Sequence, residues 1–228
     1  MNPVTEREIR SLVRSIVAPE PRPLGTKLVE EFVIGDAGRI DIALIGDHLA
    51  GFELKSDFDS LARLPRQMEV YGGVFDFCTL VVTDRHLARA RAILRPGWGL
   101  AVVRRNKDVP DSLEYKQFRT PRPIRTVHKE ALVSLLWRDE LVRALDRLHA
   151  ADGFRSKQRD VLEKRLCSVS DLAQLKSIVT DFLTARQGWR DVQAQHVYDE
   201  KSRRAGVSSG FLARRLQSQR QQFAGRLG

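Results

Sequence analysis

The sequence predicts an α/β protein in which a mixed sheet is followed by a helical C-terminal part, and three observations carry this expectation. Two alternating polar and apolar runs, 39–45 and 49–55, are joined by a short turn-like connector, which predicts a β-hairpin. Two fully apolar runs, 78–83 and 99–103, each follow a segment with helical periodicity, as buried strands do. Beyond residue 127 the apolar spacing is helical throughout.

The first half of the chain gives the element order α-β-β-β-α-β. Residues 5–17 have apolar side chains at helical spacing, and three prolines in 19–23 end that helix. A strand over 28–34 precedes the hairpin, and a helix with Gln67 and Tyr71 separates the hairpin from strand 78–83. A further helix, 86–94, and strand, 99–103, extend the sheet.

The second half begins with a polar connector over 108–127 that contains three prolines. Amphipathic helices follow, and Ser170 is predicted to cap the clearest of them. We therefore expect three parts: a core over 1–126, a helical subdomain over 127–192, and a basic tail over 193–228 that is either one helix or disordered.

Composition excludes several classes of protein. The chain has 228 residues, 42% of them hydrophobic and 30% charged, which is typical of a soluble globular protein. No apolar run approaches the roughly 20 residues of a membrane helix, and the start lacks the layout of a signal peptide, so we expect a cytoplasmic protein without membrane association. Two cysteines and scattered histidines argue against a zinc site or a disulfide framework.

The positive charge is concentrated at the C-terminal end. The formal net charge is +10, and the segment 201–228 has seven basic residues and no acid. These basic residues are Lys201, Arg203, Arg204, Arg214, Arg215, Arg220 and Arg226. Such a segment suits a polyanion such as nucleic acid, although a solubilising tail would have the same composition.

The hairpin brings two acids together. If Ile45 lies opposite Leu49, side-chain alternation places Asp41 opposite Glu53 and Arg39 opposite Lys55 on one face. Two carboxylates at that spacing repel each other, and a divalent cation such as Mg²⁺ would remove the repulsion. A lysine beside the metal would stabilise the charge of phosphoryl transfer. The opposite face is then predicted to be a core face made of Ile40, Ile42, Leu44, Phe52 and Leu54.

Asp41 followed by Glu53-Leu54-Lys55 resembles the signature of the PD-(D/E)XK nuclease superfamily, an acid on one strand and Glu-X-Lys on the next. Gln67 and Tyr71 resemble the Gln-x-x-x-Tyr element of its RecB-type members. The stretch 31–83 is similar to a group of small bacterial and phage proteins, mostly of unassigned function, and 155–157 and 189–190 match the helical C-terminal part of that group. Ile40 replaces the proline of the literal signature.

The resemblance implies a restriction-endonuclease-like, three-layer mixed-sheet core and cleavage of nucleic acid, DNA rather than RNA, with Mg²⁺ or Mn²⁺. Asp41 and Glu53 would hold the metal, with the Leu54 carbonyl as a further ligand, and Lys55 would assist the attacking water. Gln67 and Tyr71 would position the site or contact the nucleic-acid backbone.

A third acid is less defined by the sequence. The resemblance favours Glu31 as a further metal ligand, and Glu6 or Glu8 in the first helix is the alternative. Arg39 and Arg63 are predicted to bind phosphate or to support the site, together with the basic tail.

Other interpretations stay open. Two similar triplets, 114–116 and 199–201, lack an acid at the right distance and are expected to be solvated surface. The site itself could be an exposed sheet face with mixed charges. A non-catalytic nucleic-acid-binding or assembly protein that uses its basic tail is the rival function, and a homodimer or a protein partner is also open.

Overall fold

The structure is a computed structural model that describes residues 2–17, 25–35, 37–109 and 111–186. The strands are β1 (Lys27–Ile34), β2 (Gly38–Ile45), β3 (Leu49–Lys55), β4 (Phe77–Thr83), β5 (Gly99–Arg105) and β6 (Leu113–Arg119). The helices are α1 (Glu6–Val17), α2 (Leu64–Gly72), α3 (Asp84–Ile93), α4 (Lys129–Val133), α5 (Arg138–Arg147), α6 (Arg159–Val169) and α7 (Leu172–Ala185). The basic tail, and Trp189 and Arg190, lie outside the described residues.

The described strands form one six-stranded mixed sheet in the order β1-β2-β3-β4-β5-β6. The strands β1, β2 and β3 pair antiparallel, β3, β4 and β5 pair parallel, and β6 pairs antiparallel with β5. The predicted α/β class with a mixed sheet and a helical C-terminal part is therefore confirmed.

Strand β6 was not predicted, because residues 108–127 were interpreted as a polar connector. Its side chains are half-buried or exposed, as expected at the edge of a sheet, where only one neighbouring strand is present. An edge strand with so few apolar residues is not distinguished from a loop by hydrophobicity alone.

Two apolar cores lie on opposite faces of the sheet and produce three layers. The core under α1 contains Ile9 and Val13 together with Ile42, Phe52 and Leu54. The larger core, on the other face, is shared by α2, α3 and the C-terminal helices. Helix α1 is thus alone on its face among the described helices. The strands β2 and β3, which carry Asp41, Glu53 and Lys55, lie between the two cores, and α2, which carries Gln67 and Tyr71, packs in the larger one.

Specific caps and ion pairs stabilise the ends of the C-terminal helices. The Asp171 carboxylate accepts a hydrogen bond from the Gln174 amide at 2.8 Å, and the Gln174 side chain accepts one from the Asp171 amide at 3.0 Å, which together form a capping box. Asp171 therefore caps α7. The prediction of Ser170 as the cap is wrong, since its hydroxyl donates to the Leu166 carbonyl at 2.6 Å and ends α6.

Buried charge also fixes the end of α7. The Arg186 guanidinium donates to the Glu140 carboxylate at 2.9 Å and to the Leu135 carbonyl at 2.9 Å, and Arg186 and Glu140 are both buried. None of the described helices is both long enough and apolar enough to cross a membrane.

Candidate active site

The hairpin has the predicted register, but its ladder is shorter than expected. Ile45 pairs with Leu49 as predicted, and the pairs continue only to Ile42 and Phe52. Beyond that point, the Asp41 carboxylate accepts a hydrogen bond from the Leu54 backbone amide at 2.7 Å. The expected direct pairings of Asp41 with Glu53 and of Arg39 with Lys55 are therefore not formed, and Asp41 instead bonds to β3 through its side chain.

The reason lies one strand away, where β1 and β2 both reverse their side-chain alternation. Glu31 has a φ of 55°, in the left-handed region that few non-glycine residues occupy, and the β1–β2 pairing omits Glu31 and Asp41. As a result, Ile42 lies in the core under α1 while Ile40 lies in the opposite core. The prediction that Ile40 shares a face with Ile42 is wrong for this reason.

Glu53 is the centre of a buried hydrogen-bond network that unites four of the predicted residues. Its Oε1 atom accepts from Lys55 Nζ at 2.7 Å and from Gln67 Nε2 at 2.6 Å. Gln67 Nε2 also lies 3.3 Å from the Tyr71 hydroxyl, which donates to the Arg39 carbonyl at 2.7 Å. Glu53 is 2% exposed and Lys55 is 5% exposed, so strands β2 and β3 and helix α2 enclose the network.

Two oxygen atoms of this network have no hydrogen-bond partner. They are Glu53 Oε2 and Gln67 Oε1, both buried. The orientation of the Gln67 amide follows from its contacts, since its NH₂ group must face the Glu53 carboxylate. Buried polar atoms are bonded in the large majority of cases, so two unpaired acceptors in one network indicate a place for a cation or a donor.

The electrostatics of the acids point the same way. Burial, followed by the charge of Glu53, raises the pKa of Asp41 to about 7, although the Leu54 amide and Arg10 oppose the shift. Burial also raises the pKa of Glu53, against the effect of Lys55. A buried acid and a half-buried acid that both resist ionisation are typical of sites that bind a cation or transfer protons.

A second acidic cluster meets the first at Asp41. Carboxylate oxygens of Glu6, Glu31 and Asp41 lie within 4.8 Å of one another. The guanidinium of Arg10 sits among them, 2.7 Å from Glu31 and 3.6 Å from Asp41, and also bonds to Glu6. This cluster therefore already contains a cation, whereas Glu53 Oε2 has no partner.

These contacts show which of the candidate third acids lie near Asp41. Glu31, the favoured one, lies beside Asp41 but is paired with Arg10 and, at 2.6 Å, with Arg39. Of the two alternatives in α1, Glu6 reaches the cluster. Glu8 does not, because it accepts hydrogen bonds from Thr5 and pairs with Arg105.

The remaining predicted residues lie either on the protein surface or outside the described residues. Arg39 is 61% exposed although it pairs with Glu31, and Arg63 is exposed directly before α2. Glu114, from the second Glu-X-Lys triplet, pairs with Arg104 at 2.9 Å on the surface. The tail residues Lys201, Arg203, Arg204, Arg214 and Arg215 lie outside the described residues.

Sequence reasoning missed Arg10. The residue is four positions after Glu6, so the pair shares a helical face, and this spacing was the available signal. Its contact with Asp41 could not be read from the sequence, because it depends on where α1 lies on the sheet.

Fold and site together define an α/β protein with a buried acidic centre at the edge of a hairpin. The family model described as "Bacteriophage P4 protein cII" matches residues 5–208, and the chain therefore belongs to the bacteriophage P4 protein cII family.

Two individual proteins are similar to parts of the chain. Protein cII of Enterobacteria phage P4 is 26% identical over 153 residues, which cover 67% of this chain and 56% of that protein. The chain thus matches little more than half the length of this relative. A solved structure, the SPO1766 protein of unknown function from Silicibacter pomeroyi, is 20% identical with a TM-score of 0.34, over 59% of this chain and 86% of the other.

Proposed function

We propose that the protein is a metal-dependent nuclease of the PD-(D/E)XK type, which hydrolyses phosphodiester bonds of nucleic acid in the cytoplasm and prefers DNA to RNA. The observation that carries the proposal is the buried, unpaired Oε2 atom of Glu53 beside Asp41. Lys55 and Gln67 hold the other carboxylate oxygen of Glu53 in place.

The side chains present fit Mg²⁺ or Mn²⁺. Glu53 and Asp41 offer carboxylate oxygens, the ligands that hard divalent cations prefer. A cation there would offset the burial that raises the pKa values of both acids, and also the repulsion from Glu53 that adds to the shift of Asp41. When bound, the ion would polarise a phosphate oxygen and lower the pKa of a bound water.

Each of the surrounding residues has a distinct role in this proposal. Lys55 places its ammonium next to the Glu53 carboxylate, where it stabilises negative charge that develops on the phosphate and orients the attacking water. Gln67 fixes the rotamer of Glu53. Tyr71 is 1% exposed, so it acts through Gln67 and the Arg39 carbonyl as a positioning residue and does not contact substrate.

Cleavage assays with Mg²⁺ or Mn²⁺ on single-stranded, duplex and branched DNA and on RNA test the proposal. We expect cleavage of at least one DNA substrate and its loss on addition of a chelator. Asp41→Ala and Lys55→Ala should each lower the rate by about a hundredfold or more, the effect of losing a positioned charge in an active site. The matched control is Lys116→Ala, which alters the lysine of the surface Glu-X-Lys triplet and should leave the rate unchanged.

Cleavage that persists unchanged in both site variants would exclude this site as the catalytic centre. If no substrate is cut while DNA is still bound, the alternative function, a non-catalytic nucleic-acid-binding or assembly protein, becomes the better description. Calorimetric titration of the protein with Mn²⁺ separates the two further, since the nuclease requires a metal site that Asp41→Ala removes.

A further inference from the structure

The segment that follows β3 holds an exposed aromatic side chain close in sequence to Lys55 of the proposed site. Phe58 comes three residues after Lys55 and is 70% exposed, the most exposed of the large apolar side chains in the described part of the chain. Single exposed apolar residues are common, so whether Phe58 forms part of a binding surface depends on its backbone contacts and on the residues around it.

The backbone around Phe58 is fixed by buried contacts. Ser56 is 3% exposed, its amide donates to the Asp59 carboxylate at 2.8 Å, and its carbonyl lies 2.9 Å from a ring nitrogen of His86. The Asp59 amide donates back to the Ser56 carbonyl at 3.2 Å. The backbone is therefore tied down on both sides of Phe58, whose ring is exposed to solvent.

Charges of both signs lie beside this ring. The carboxylates of Asp57 and Asp59 flank Phe58 and stay negative, and each is held by a hydrogen bond within the protein, Asp57 from the Val4 amide at 2.7 Å and Asp59 from the Ser56 amide at 2.8 Å. Arg85 donates to the Asp57 carbonyl and thereby brings its guanidinium to the turn.

Helix α2 adds two more cations. Arg63 and Arg66 are exposed at its start. Arg63 is four residues before Gln67 and thus lies one turn away on the same helical face, which leads directly to Glu53.

An exposed aromatic ring on an ordered backbone, with arginines on neighbouring segments, is an arrangement that binds single-stranded nucleic acid, in which bases stack on the ring while cations contact the phosphates. In a duplex both faces of each base are covered by its neighbours. We infer that Phe58 stacks on an unpaired base next to the scissile phosphate, so that the preferred substrate is single-stranded nucleic acid or an unpaired end. The inference rests on the proposed function for the position of the phosphate.

Binding measured by fluorescence anisotropy with chelator present, so that nothing is cleaved, tests the inference. Phe58→Ala should weaken binding of a labelled single-stranded oligonucleotide by about 5- to 100-fold, the range found for loss of one stacked base, and should change binding of a blunt duplex less than twofold. Phe58→Trp should retain the affinity. Phe118→Ala is the matched control, because Phe118 is exposed on β6, at the far edge of the sheet from the hairpin.

A second measurement separates stacking from a change in fold. An oligonucleotide of equal length that lacks every base keeps its phosphates but offers no ring to Phe58. Wild type and Phe58→Ala should bind this abasic strand equally, because the interaction removed by the mutation is already absent. A tenfold difference that persists on the abasic strand would overturn the inference.

The outcomes also distinguish this inference from the proposed function. If Mg²⁺-dependent cleavage is present while Phe58→Ala binds single strands as wild type does, the inference is wrong and the nuclease proposal is unaffected. If cleavage is absent but affinity still depends on Phe58 and on the bases, the stacking surface holds and the nuclease proposal fails. Unchanged affinity together with conversion of a dimer to a monomer would assign Phe58 to contact between copies, against the inference.

Discussion

Glu53 and Lys55 form a buried ion pair that is incompletely satisfied. Moving such charges out of water costs several kcal/mol for each ion, and the pair offsets this cost only if the remaining lone pairs are also bonded. Glu53 Oε2 has no such partner, so the ion pair does not offset its own desolvation cost and contributes little to the stability of the fold. A polar group retained at this cost is better explained by the chemistry that it performs.

Asp41 should make the stability of the metal-free protein depend on pH. Its pKa is raised from 3.8 to about 7 by burial and by Glu53, so between these values the folded protein binds more protons than the unfolded chain. Stability must then fall as pH rises through this window. With chelator present, we expect unfolding measured in denaturant to show a loss of a few kcal/mol at most between about pH 4 and pH 7, since one pKa unit corresponds to about 1.4 kcal/mol.

Asp41→Asn supplies the control for this measurement. The amide does not ionise, so the free energy of unfolding of the variant should lack the part of the pH dependence due to Asp41. The variant should therefore become more stable relative to the wild type as pH rises. Glu53, whose pKa is also raised, remains in both proteins, and because its charge helps to raise the pKa of Asp41, the difference between the two curves reports the loss of Asp41 from an interacting pair. Parallel curves across the whole window would show that the folded and unfolded pKa values of Asp41 are alike.

At the scale of elements, helix α1 delivers a cation to the acidic cluster. Arg10 bonds to Glu6 and Glu31, and its Nη1 atom donates to the Asp41 carbonyl at 2.9 Å. Arg10→Gln removes a positive charge among four carboxylates, those of Glu6, Glu30, Glu31 and Asp41. We expect a lower melting temperature in chelator and a larger stabilisation by Mg²⁺ or Mn²⁺ than in wild type, because a ligand that binds the folded state more tightly stabilises it more.

Arg14→Gln is the matched control for this prediction. Arg14 lies one turn further along α1 and is 3.2 Å from Glu30, so its loss removes an ion pair of the same helix without altering Asp41. Its metal-induced shift in melting temperature should equal that of wild type. An Arg10→Gln protein with the same shift as Arg14→Gln would mean that Arg10 does not influence the metal site.

The sequence predicted the hairpin because its determinants are local. The turn and the alternation around it fix the pairing of Ile45 with Leu49, and this pairing leads directly to Glu53 and Lys55. The reversal at Glu31 and Asp41 was beyond such reasoning, because Ile40 and Ile42 alternate along the chain as in a regular strand and the ion partners of Glu31, Arg10 and Arg39, come from other elements. Arg10 was missed for a related reason, since its partners come from β1 and β2.

At the scale of the whole molecule, the C-terminal helices complete the core on the face that carries α2. Leu132, Leu136 and Leu183 belong to the same apolar cluster as Met68 and Tyr71, and Lys176 of α7 forms an ion pair with Asp76, directly before β4. These helices therefore support the helix that positions Gln67. The residue ranges predicted for the three parts stay predictions, although this core is continuous across the first boundary.

The basic tail should supply affinity for nucleic acid without taking part in the chemistry. Its seven cations and no acids over 201–228 form a sequence-independent partner for phosphate. Each phosphate engaged in duplex DNA steepens the dependence of log affinity on log salt concentration by about 0.9. Deleting 201–228 should therefore weaken DNA binding and flatten this slope by up to about six, while the single-turnover cleavage rate at saturating protein stays the same because Asp41, Glu53 and Lys55 remain.

A full-length variant in which all seven cations are replaced by glutamine is the control that separates charge from length. If the tail acts through counterion release, this variant should show the same flattened slope as the deletion. A slope that falls only in the deletion would mean that the segment contributes through contacts other than charge. A slope unchanged in both proteins would exclude the tail from the nucleic-acid interface and make a protein partner its better assignment.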